Sequence, residues 1–271
     1  MPELPEVETA RRGIEPHLLG QRIERLIVRE HRLRLPVPSD LVGLLKGCVI
    51  KGVGRRGKYL LIRVTSGMVI LHLGMSGSLR IVPRERPPAR HDHVDLVLSS
   101  GIALRLTDPR RFGLLAWTTE DPLIHPLLAH LGPEPLDSTW DGAVLWRAAK
   151  GRRVAIKGLI MDARRVVGVG NIYANEALFM AGIHPARAAG RIALARYDEL
   201  ARAVKEVLSQ AIEQGGTTLR DFVAEDGRPG YFSHSLKVYG RSGLSCLACG
   251  GAIREIRQLG RATYYCPGCQ R

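Results

Sequence analysis

The residues best suited to chemistry stand at the start of the chain, which opens Met1-Pro2-Glu3. A small second residue such as proline normally permits removal of the initiator methionine, which would give Pro2 a free secondary amine. An α-amino group titrates near ~7.7–8.0, so a useful fraction is unprotonated at neutral pH. Attack of such an amine on a sugar aldehyde carbon gives an iminium cation, an electron sink like a lysine Schiff base. Glu3 and Glu6 supply carboxylates that could move protons beside it, although Pro2 could also be an ordinary first-turn helix residue.

A second chemical signal lies at the C-terminus, where two Cys-x2-Cys pairs are separated by sixteen residues. Each pair fits one tight turn, and the two turns together complete a tetrahedral zinc site. Four thiolates leave no open coordination position, so we expect one structural zinc per chain. Two disulfides or four free thiols are the alternatives, and a reducing compartment disfavours disulfides. The predicted ligands are Cys246, Cys249, Cys266 and Cys269.

The charge of the chain points to a polyanionic partner. The 271 residues carry a formal net charge of +14, and nucleic acid is the commonest partner of so basic a protein. An anionic membrane is the alternative, but no apolar run approaches the ~18 residues that a spanning helix needs. Four glutamates within residues 3–15 argue against a signal peptide, so we expect a cytoplasmic protein.

The periodicity of the apolar residues changes along the chain. Residues 3–19 have helical spacing, whereas residues 21–119 form short β-rich runs that predict a sandwich or barrel. Four prolines mark residues 120–138 as a linker. Helical spacing then returns, and residues 215–242 form a long polar loop of the kind that is often functional. The predicted helices of this second half are 141–165, 171–181 and 195–214.

Several further motifs could contact a phosphate backbone. The segment VVGVGNIYANEALF places a glycine-rich turn before a helix at Asn171, where free backbone N–H groups can hold a phosphate. Upstream, a basic cluster of four residues suggests a phosphate track, although a solvated helix face would look the same. The members of this cluster are Lys150, Arg152, Arg153 and Lys157. The run Arg55-Arg56-Gly57-Lys58 before a strand allows the same two interpretations.

Three other segments carry residues whose role the pattern leaves open. His91 and His93 could bind a metal from one strand face, but no third ligand stands nearby. The segments 72–77 and 108–113 are glycine-containing loops that carry Met75 and Phe112. These two side chains could be core residues, but their setting favours exposed loop tips.

The string PELPEVET followed by Arg11-Arg12-Gly13 resembles the start of the bacterial formamidopyrimidine-DNA glycosylases. The similarity extends from Pro2 to Arg271 with every motif described above in order. Members of this family remove oxidised purines such as 8-oxoguanine and formamidopyrimidines from DNA. They then nick the strand by β- and δ-elimination. The related endonuclease VIII enzymes typically have glycine where this chain has Leu4.

The resemblance assigns a role to each motif residue. It implies that Pro2 is the nucleophile, with Glu3 moving protons and Glu6 supporting the site. It also implies that Lys58 and Arg261 contact DNA and assist strand cleavage. Enzymes that act on a base must extrude it from the stack, and apolar wedges stabilise the unstacked step. The implied DNA contacts are His91, Arg152 and Asn171, together with Met75, Arg110 and Phe112, which fill the gap left by the flipped nucleotide.

The resemblance also implies an α+β fold with several parts. We expect an N-terminal helix plus an antiparallel β-sandwich, then a helical helix-two-turn-helix domain that ends in a four-cysteine zinc-ribbon hairpin. The loop 215–242 would cap the flipped lesion. The predicted boundaries are a catalytic domain at 1–120, a linker at 121–138, a helical domain at 139–240 and a zinc-finger module at 241–271.

The expected partner is damaged double-stranded DNA, and the expected cofactor is one structural Zn²⁺ with no organic cofactor. We expect a monomer that works in the cytoplasm, associated with the nucleoid, and that has no membrane contact. Two alternatives stay open at this point. One is an endonuclease VIII-like preference for oxidised pyrimidines, against which Leu4 argues. The other is a non-catalytic zinc-ribbon DNA-binding protein, which would need neither a free Pro2 nor Glu3.

Overall fold

The computed structural model describes residues 2–216 and 236–271. These residues divide into two compact units, of which the first extends to His130 and the second begins at Leu131. Most of the loop that we expected to lie over a flipped base, including the stretch 227–232, falls outside the described residues. Within the described part of the chain, no helix is long and apolar enough to cross a membrane.

The first unit opens with helix α1 (Leu4–Leu18), close to the predicted span of 3–19. Glu3 is its N-cap, and the first turn contains Pro5. Proline has no backbone N–H, and in the first turn of a helix that N–H would have no partner within the helix. One face of the helix is apolar and fully buried. The residues of that face are Leu4, Val7, Ala10, Ile14 and Leu18.

Two four-stranded antiparallel sheets follow, as the short β-rich runs predicted. Their strands are β1 (Ile23–Val28), β2 (Ile50–Arg56), β3 (Tyr59–Val64), β4 (Gly67–His72), β5 (Ser78–Pro83), β6 (Asp92–Leu98), β7 (Ile102–Thr107) and β8 (Leu114–Thr118). The first sheet has the order β1-β6-β7-β5 and the second has the order β2-β3-β4-β8. Their apolar faces share one core, in which Leu96 and Leu104 from one sheet join Ile62 and Leu71 from the other. The short helix α2 (Leu41–Leu45) also contributes to this core.

The second unit is helical, but the predicted helix over 141–165 is wrong as a single element. The structure has α3 (Gly142–Ala149) and α4 (Ile156–Met161), with an interruption at Gly151, whose φ is +72°. A positive φ is cheap only for glycine, so the chain turns there. Helices α5 (Asn171–Met180) and α6 (Leu194–Glu213) lie close to their predicted spans.

A two-stranded hairpin follows in the same unit, formed by β9 (Arg254–Gln258) and β10 (Arg261–Tyr265). Its turn contains Leu259 and Gly260, both with positive φ. The hairpin is tied to α5 because the backbone N–H of Tyr264 donates to Asn175 Oδ1 over 2.7 Å. The hairpin is thus part of the second unit.

Candidate functional site

A capping box fixes the two N-terminal carboxylates at the start of α1. Glu6 Oε2 accepts the backbone N–H of Glu3 at 2.9 Å, and the Glu3 side chain accepts the backbone N–H of Glu6. Both side chains are almost fully buried, with 2% and 3% of their surface exposed. A buried carboxylate needs such hydrogen bonds, and the positive end of a helix dipole favours its negative charge. Two ordered carboxylates therefore stand directly beside half-buried Pro2.

A charge network behind α1 supports the turn that carries Lys58. Glu8 accepts hydrogen bonds from Arg11, Arg12 and Arg55. Burial alone would raise the pKa of Glu8, but the guanidinium hydrogen bonds outweigh it and the pKa is lowered. Arg55 also donates to the Gly57 carbonyl at 2.9 Å. Lys58 therefore stands on a braced turn between β2 and β3.

His72, at the end of β4, has a local environment that the sequence did not reveal. Its Nδ1 accepts the backbone N–H of Gly74 at 2.8 Å, and its ring lies 4.7 Å from that of Tyr59. Burial, followed by the positive charges of Arg34 and Lys58, lowers the pKa of His72 to about 4. The ring is therefore neutral at pH 7, with its proton on Nε2.

The loops 72–77 and 108–113 expose the side chains that we predicted at loop tips. Met75 is 41% exposed and Phe112 is 42% exposed, so neither belongs to the β-sandwich core. Arg110 is also exposed, and its guanidinium carbon lies 4.9 Å from the centroid of the Phe112 ring. This geometry gives a cation–π contact between the two side chains.

The histidine pair does not form a metal site. His91 is half-buried just before β6, whereas His93 is buried and its Nε2 is hydrogen-bonded to the Asp108 carbonyl at 2.9 Å. Among the described residues, only the four C-terminal cysteines form a group of three or more possible metal ligands. His91 therefore remains a candidate for DNA contact.

In the second unit, Lys157 is not part of an exposed phosphate track. It is 2% exposed, and its Nζ donates to Asn171 Oδ1 at 2.6 Å and to Thr263 Oγ1 at 2.7 Å. Asn171 also donates to the Ala262 carbonyl at 3.0 Å, which fixes the first residue of α5 against the hairpin. Arg261 is exposed on the same stretch of β10.

The other three members of that basic cluster, Lys150, Arg152 and Arg153, are exposed in the structure. Arg152 Nε donates to the Ala148 carbonyl at 2.7 Å, which orients its guanidinium at the end of α3. Phosphate contact by these residues thus stays a prediction, whereas Lys157 joins α4, α5 and the hairpin.

The four cysteines fit a single zinc ion. Their ligand atoms all lie within 4.8 Å of one another, with Sγ–Sγ distances of 3.4 Å for Cys249–Cys266 and 3.9 Å for Cys246–Cys269. A Zn–S bond of about 2.3 Å places the sulfurs of a tetrahedron about 3.8 Å apart. All four positions are taken by protein, so the zinc is structural.

Family models match almost the whole chain. The N-terminal domain of formamidopyrimidine-DNA glycosylase matches residues 1–115, and its H2TH domain matches residues 131–223. The zinc finger found in FPG and IleRS matches residues 243–271. An N-terminal helix on a β-sandwich, an H2TH domain and a four-cysteine zinc finger together define a DNA glycosylase of the base-excision type.

Relatives and solved structures agree with this class. The formamidopyrimidine-DNA glycosylases of Methylococcus capsulatus and Stutzerimonas stutzeri are 63% and 60% identical, each over 271 residues and 100% of both chains. A Lactococcus lactis FPG mutant, solved with a Fapy-dG containing DNA, matches with a TM-score of 0.93 at 33% identity over 100% of both chains. The MutM protein of Thermus thermophilus matches with a TM-score of 0.88 at 40% identity, over 99% and 98% of the two chains.

The chain belongs to the formamidopyrimidine-DNA glycosylase family. It is a DNA glycosylase for oxidised purines, and apurinic-site lyase activity is characteristic of the family. The predictions of family, fold class, enzyme class and structural zinc are thereby confirmed. The roles of individual residues and the domain boundaries stay predictions.

Proposed function

We propose that Pro2, freed by removal of Met1, attacks C1′ of an oxidised purine nucleotide in double-stranded DNA. The N–C1′ bond forms as the C1′–N9 bond breaks, and the base leaves with the proton that the Pro2 nitrogen loses. Glu3 supplies the proton that the ring oxygen needs when the sugar opens to the iminium, and Glu6 holds Glu3. The observation that carries this proposal is the buried capping box, which fixes both carboxylates beside Pro2.

The iminium then acidifies the C2′–H bond. Loss of that proton breaks the C3′–O bond by β-elimination, and a second elimination breaks the C5′–O bond, which leaves a one-nucleotide gap. Water finally releases the sugar fragment from Pro2. Lys58, braced by Arg55 on its turn, and Arg261 on the hairpin neutralise the phosphates that leave.

We propose that the remaining site residues hold the duplex. Arg152, His91 and the start of α5 at Asn171 contact phosphates, while Met75, Arg110 and Phe112 occupy the gap left by the flipped nucleotide. The exposure of the last three side chains and the net charge of +14 support this role. So do the solved relatives from Lactococcus lactis, whose structures contain Fapy-dG and abasic-site DNA.

The catalytic part comprises residues 1–120, followed by a linker at 121–138, a helical part at 139–240 and a zinc module at 241–271. The molecule works as a monomer in the cytoplasm, on nucleoid DNA.

An endonuclease VIII-like substrate range is the alternative, and activity assays distinguish it from a preference for oxidised purines. Duplexes with 8-oxoguanine opposite C should be cleaved much faster than duplexes with thymine glycol opposite A.

Borohydride trapping tests the nucleophile, because reduction converts the iminium to a stable amine. Incubation of the protein with an 8-oxoguanine duplex and borohydride should give a covalent protein–DNA adduct. Peptide mapping should locate the cross-link at Pro2. A chain with an uncleaved N-terminal extension has an amide at Pro2 and should form no adduct. An adduct mapped to Lys58 would overturn the assignment.

The role of Glu3 is tested by substitution. Glu3→Gln should keep duplex binding and lose base excision. Glu24 is an exposed carboxylate on β1, and Glu24→Gln serves as the control.

A further inference from the structure

Asp108, the first residue of the loop 108–113, carries a fully buried carboxylate that contacts the loop 72–77. Its Oδ1 accepts the hydroxyl of Ser76 at 2.7 Å, and its Oδ2 accepts the backbone N–H of Gly113 at 2.7 Å. The backbone N–H of Arg110 lies 3.3 Å from Oδ1. A buried carboxylate is stable only where hydrogen bonds replace water, so these bonds tie the two loops to one group.

The backbones of the two loops also touch each other directly. Gly74 has a φ of +65°, and a Cβ at this position would lie 2.3 Å from the carbonyl carbon of Phe112. A Cβ on Gly113 would lie 3.0 Å from the His72 carbonyl oxygen and 3.1 Å from Asp108 Oδ2. A side chain at Gly74 would collide with the backbone of the other loop, and one at Gly113 would crowd it, so the two loop backbones are in direct contact.

The backbone of Asp108 extends the same connection to the residues before and within β6. Its N–H donates to the His91 carbonyl at 3.0 Å, and its carbonyl is bonded to Nε2 of His93 at 2.9 Å. One residue therefore contacts the loop of Met75, the loop of Arg110 and Phe112, and the segment of His91.

We propose that Asp108 is a positioning residue that holds Met75, Arg110 and Phe112 as one preformed wedge for base flipping. This inference rests on the proposed function, since it assumes that these three side chains fill the vacated gap. Met75 and Phe112 are about two-fifths exposed, so their placement depends on the backbone below them. Fixing that backbone before DNA binds removes an ordering cost that would otherwise fall on the flipping step.

The test compares a substrate that needs a wedge with one that does not. The first is a duplex containing 8-oxoguanine, in which a base must be flipped and its gap filled. The second is single-stranded DNA with a preformed abasic site, on which Pro2 can act without flipping. Single-turnover rates on both are measured at saturating protein, and 2-aminopurine beside the lesion reports flipping.

Asp108→Ala should slow excision from the duplex by about tenfold or more, because small displacements of positioned groups have large kinetic effects. Ser76→Ala, which removes one bond to Oδ1, should act in the same direction with a smaller effect and secures the test if Asp108→Ala folds poorly. Both variants should trap the single-stranded abasic substrate within about twofold of wild type, because that step needs no wedge. Ile23→Val, a buried change in β1 away from the loops, controls for lost stability.

The outcomes separate the two hypotheses. If the wild type neither excises 8-oxoguanine nor traps abasic DNA, the proposed function fails. If the wild type does both and each variant slows the two substrates equally, Asp108 is only a fold-stabilising residue and the inference is overturned. Unchanged 2-aminopurine signals in both variants would overturn it as well.

Discussion

The side chains that we propose as functional in the first unit include a buried group and an exposed group. Glu3 and Glu6 are buried and fixed by reciprocal hydrogen bonds, whereas Met75 and Phe112 project from loops whose backbones are held. Proton transfer requires fixed geometry in a site with little water, while gap filling requires apolar surface that is free to enter a duplex. The burial of each residue thus matches the task that we propose for it.

The exposure of Met75 and Phe112 leads to a direct test of the wedge. Met75→Ala and Phe112→Ala should lower the free energy of unfolding by less than about 1 kcal/mol, since exposed side chains leave little cavity. Both variants should slow excision from duplex DNA and reduce the 2-aminopurine change that reports flipping. Thermal melting and single-turnover rates measure the two effects.

A buried control shows what a core residue would do in the same assays. Leu104→Ala in β7 should cost about 2–5 kcal/mol of stability, with excision per folded molecule unchanged. If Met75→Ala or Phe112→Ala behaves like Leu104→Ala, that residue supports the fold and is not part of the wedge.

At the scale of elements, residues that we propose for the site stand where strands and helices begin or end. Lys58 lies between β2 and β3, and Asn171 begins α5. Where a strand or a helix ends, the regular pattern of backbone hydrogen bonds also ends. The chain can therefore present a side chain or a backbone N–H group to a ligand at such a place. The regular elements bury their apolar faces, and these proposed residues lie at or between the ends of those elements.

The sequence predicted features that depend on local pattern and missed those that depend on distant partners. Helix α1, most of the strands and the cysteine spacing are encoded within short windows. The break at Gly151 was missed because it does not disturb the helical period of the apolar residues. Lys157 and Asp108 could not be interpreted from sequence because their partners, such as Thr263 and Ser76, lie far along the chain.

The environment of His72 at the end of β4 predicts a dependence of stability on pH. Burial lowers its pKa to about 4 in the folded state, below its usual value of about 6.5. The unfolded state therefore binds more protons, and the stability associated with the neutral ring is present above about pH 6.5 and is lost as the pH falls toward 4. Relative to His72→Gln, the wild type should lose up to about 1.4 kcal/mol per pH unit in that window.

Urea unfolding of both proteins between pH 7.5 and pH 4.5 measures this difference, and NMR titration follows the ring itself. His31→Gln, at an exposed histidine of the same unit, should show no comparable change of slope. A His72 ring that titrates near its usual pKa would contradict the neutral state of the ring.

At the scale of the whole molecule, a net charge of +14 is combined with a small C-terminal zinc module, which depends on the metal for its folding. The core around the cysteines is small, and its buried apolar side chains other than cysteine are Val238 and Ile253. So small a core cannot offset the entropy of ordering the chain, and metal binding therefore supplies folding free energy. The module presents Arg261 and is bound to α5 through Asn175 and to α4 through Lys157.

Loss of zinc should therefore separate DNA binding from the chemistry of the first unit. Purified wild type should contain one zinc per chain by metal analysis, and Cys249→Ser should release it and unfold the hairpin. Duplex affinity should fall by about tenfold or more, which corresponds to about 1.4 kcal/mol, because the module's contacts with DNA phosphates are lost. Borohydride trapping of a single-stranded abasic site should persist at high protein concentration, since Pro2, Glu3 and Glu6 belong to the first unit.

Cys48→Ser changes a buried thiol outside the cluster, and this control variant should keep both its zinc and its affinity for duplex DNA. Wild type without zinc, or Cys249→Ser with wild-type affinity, would show that the module does not depend on the metal.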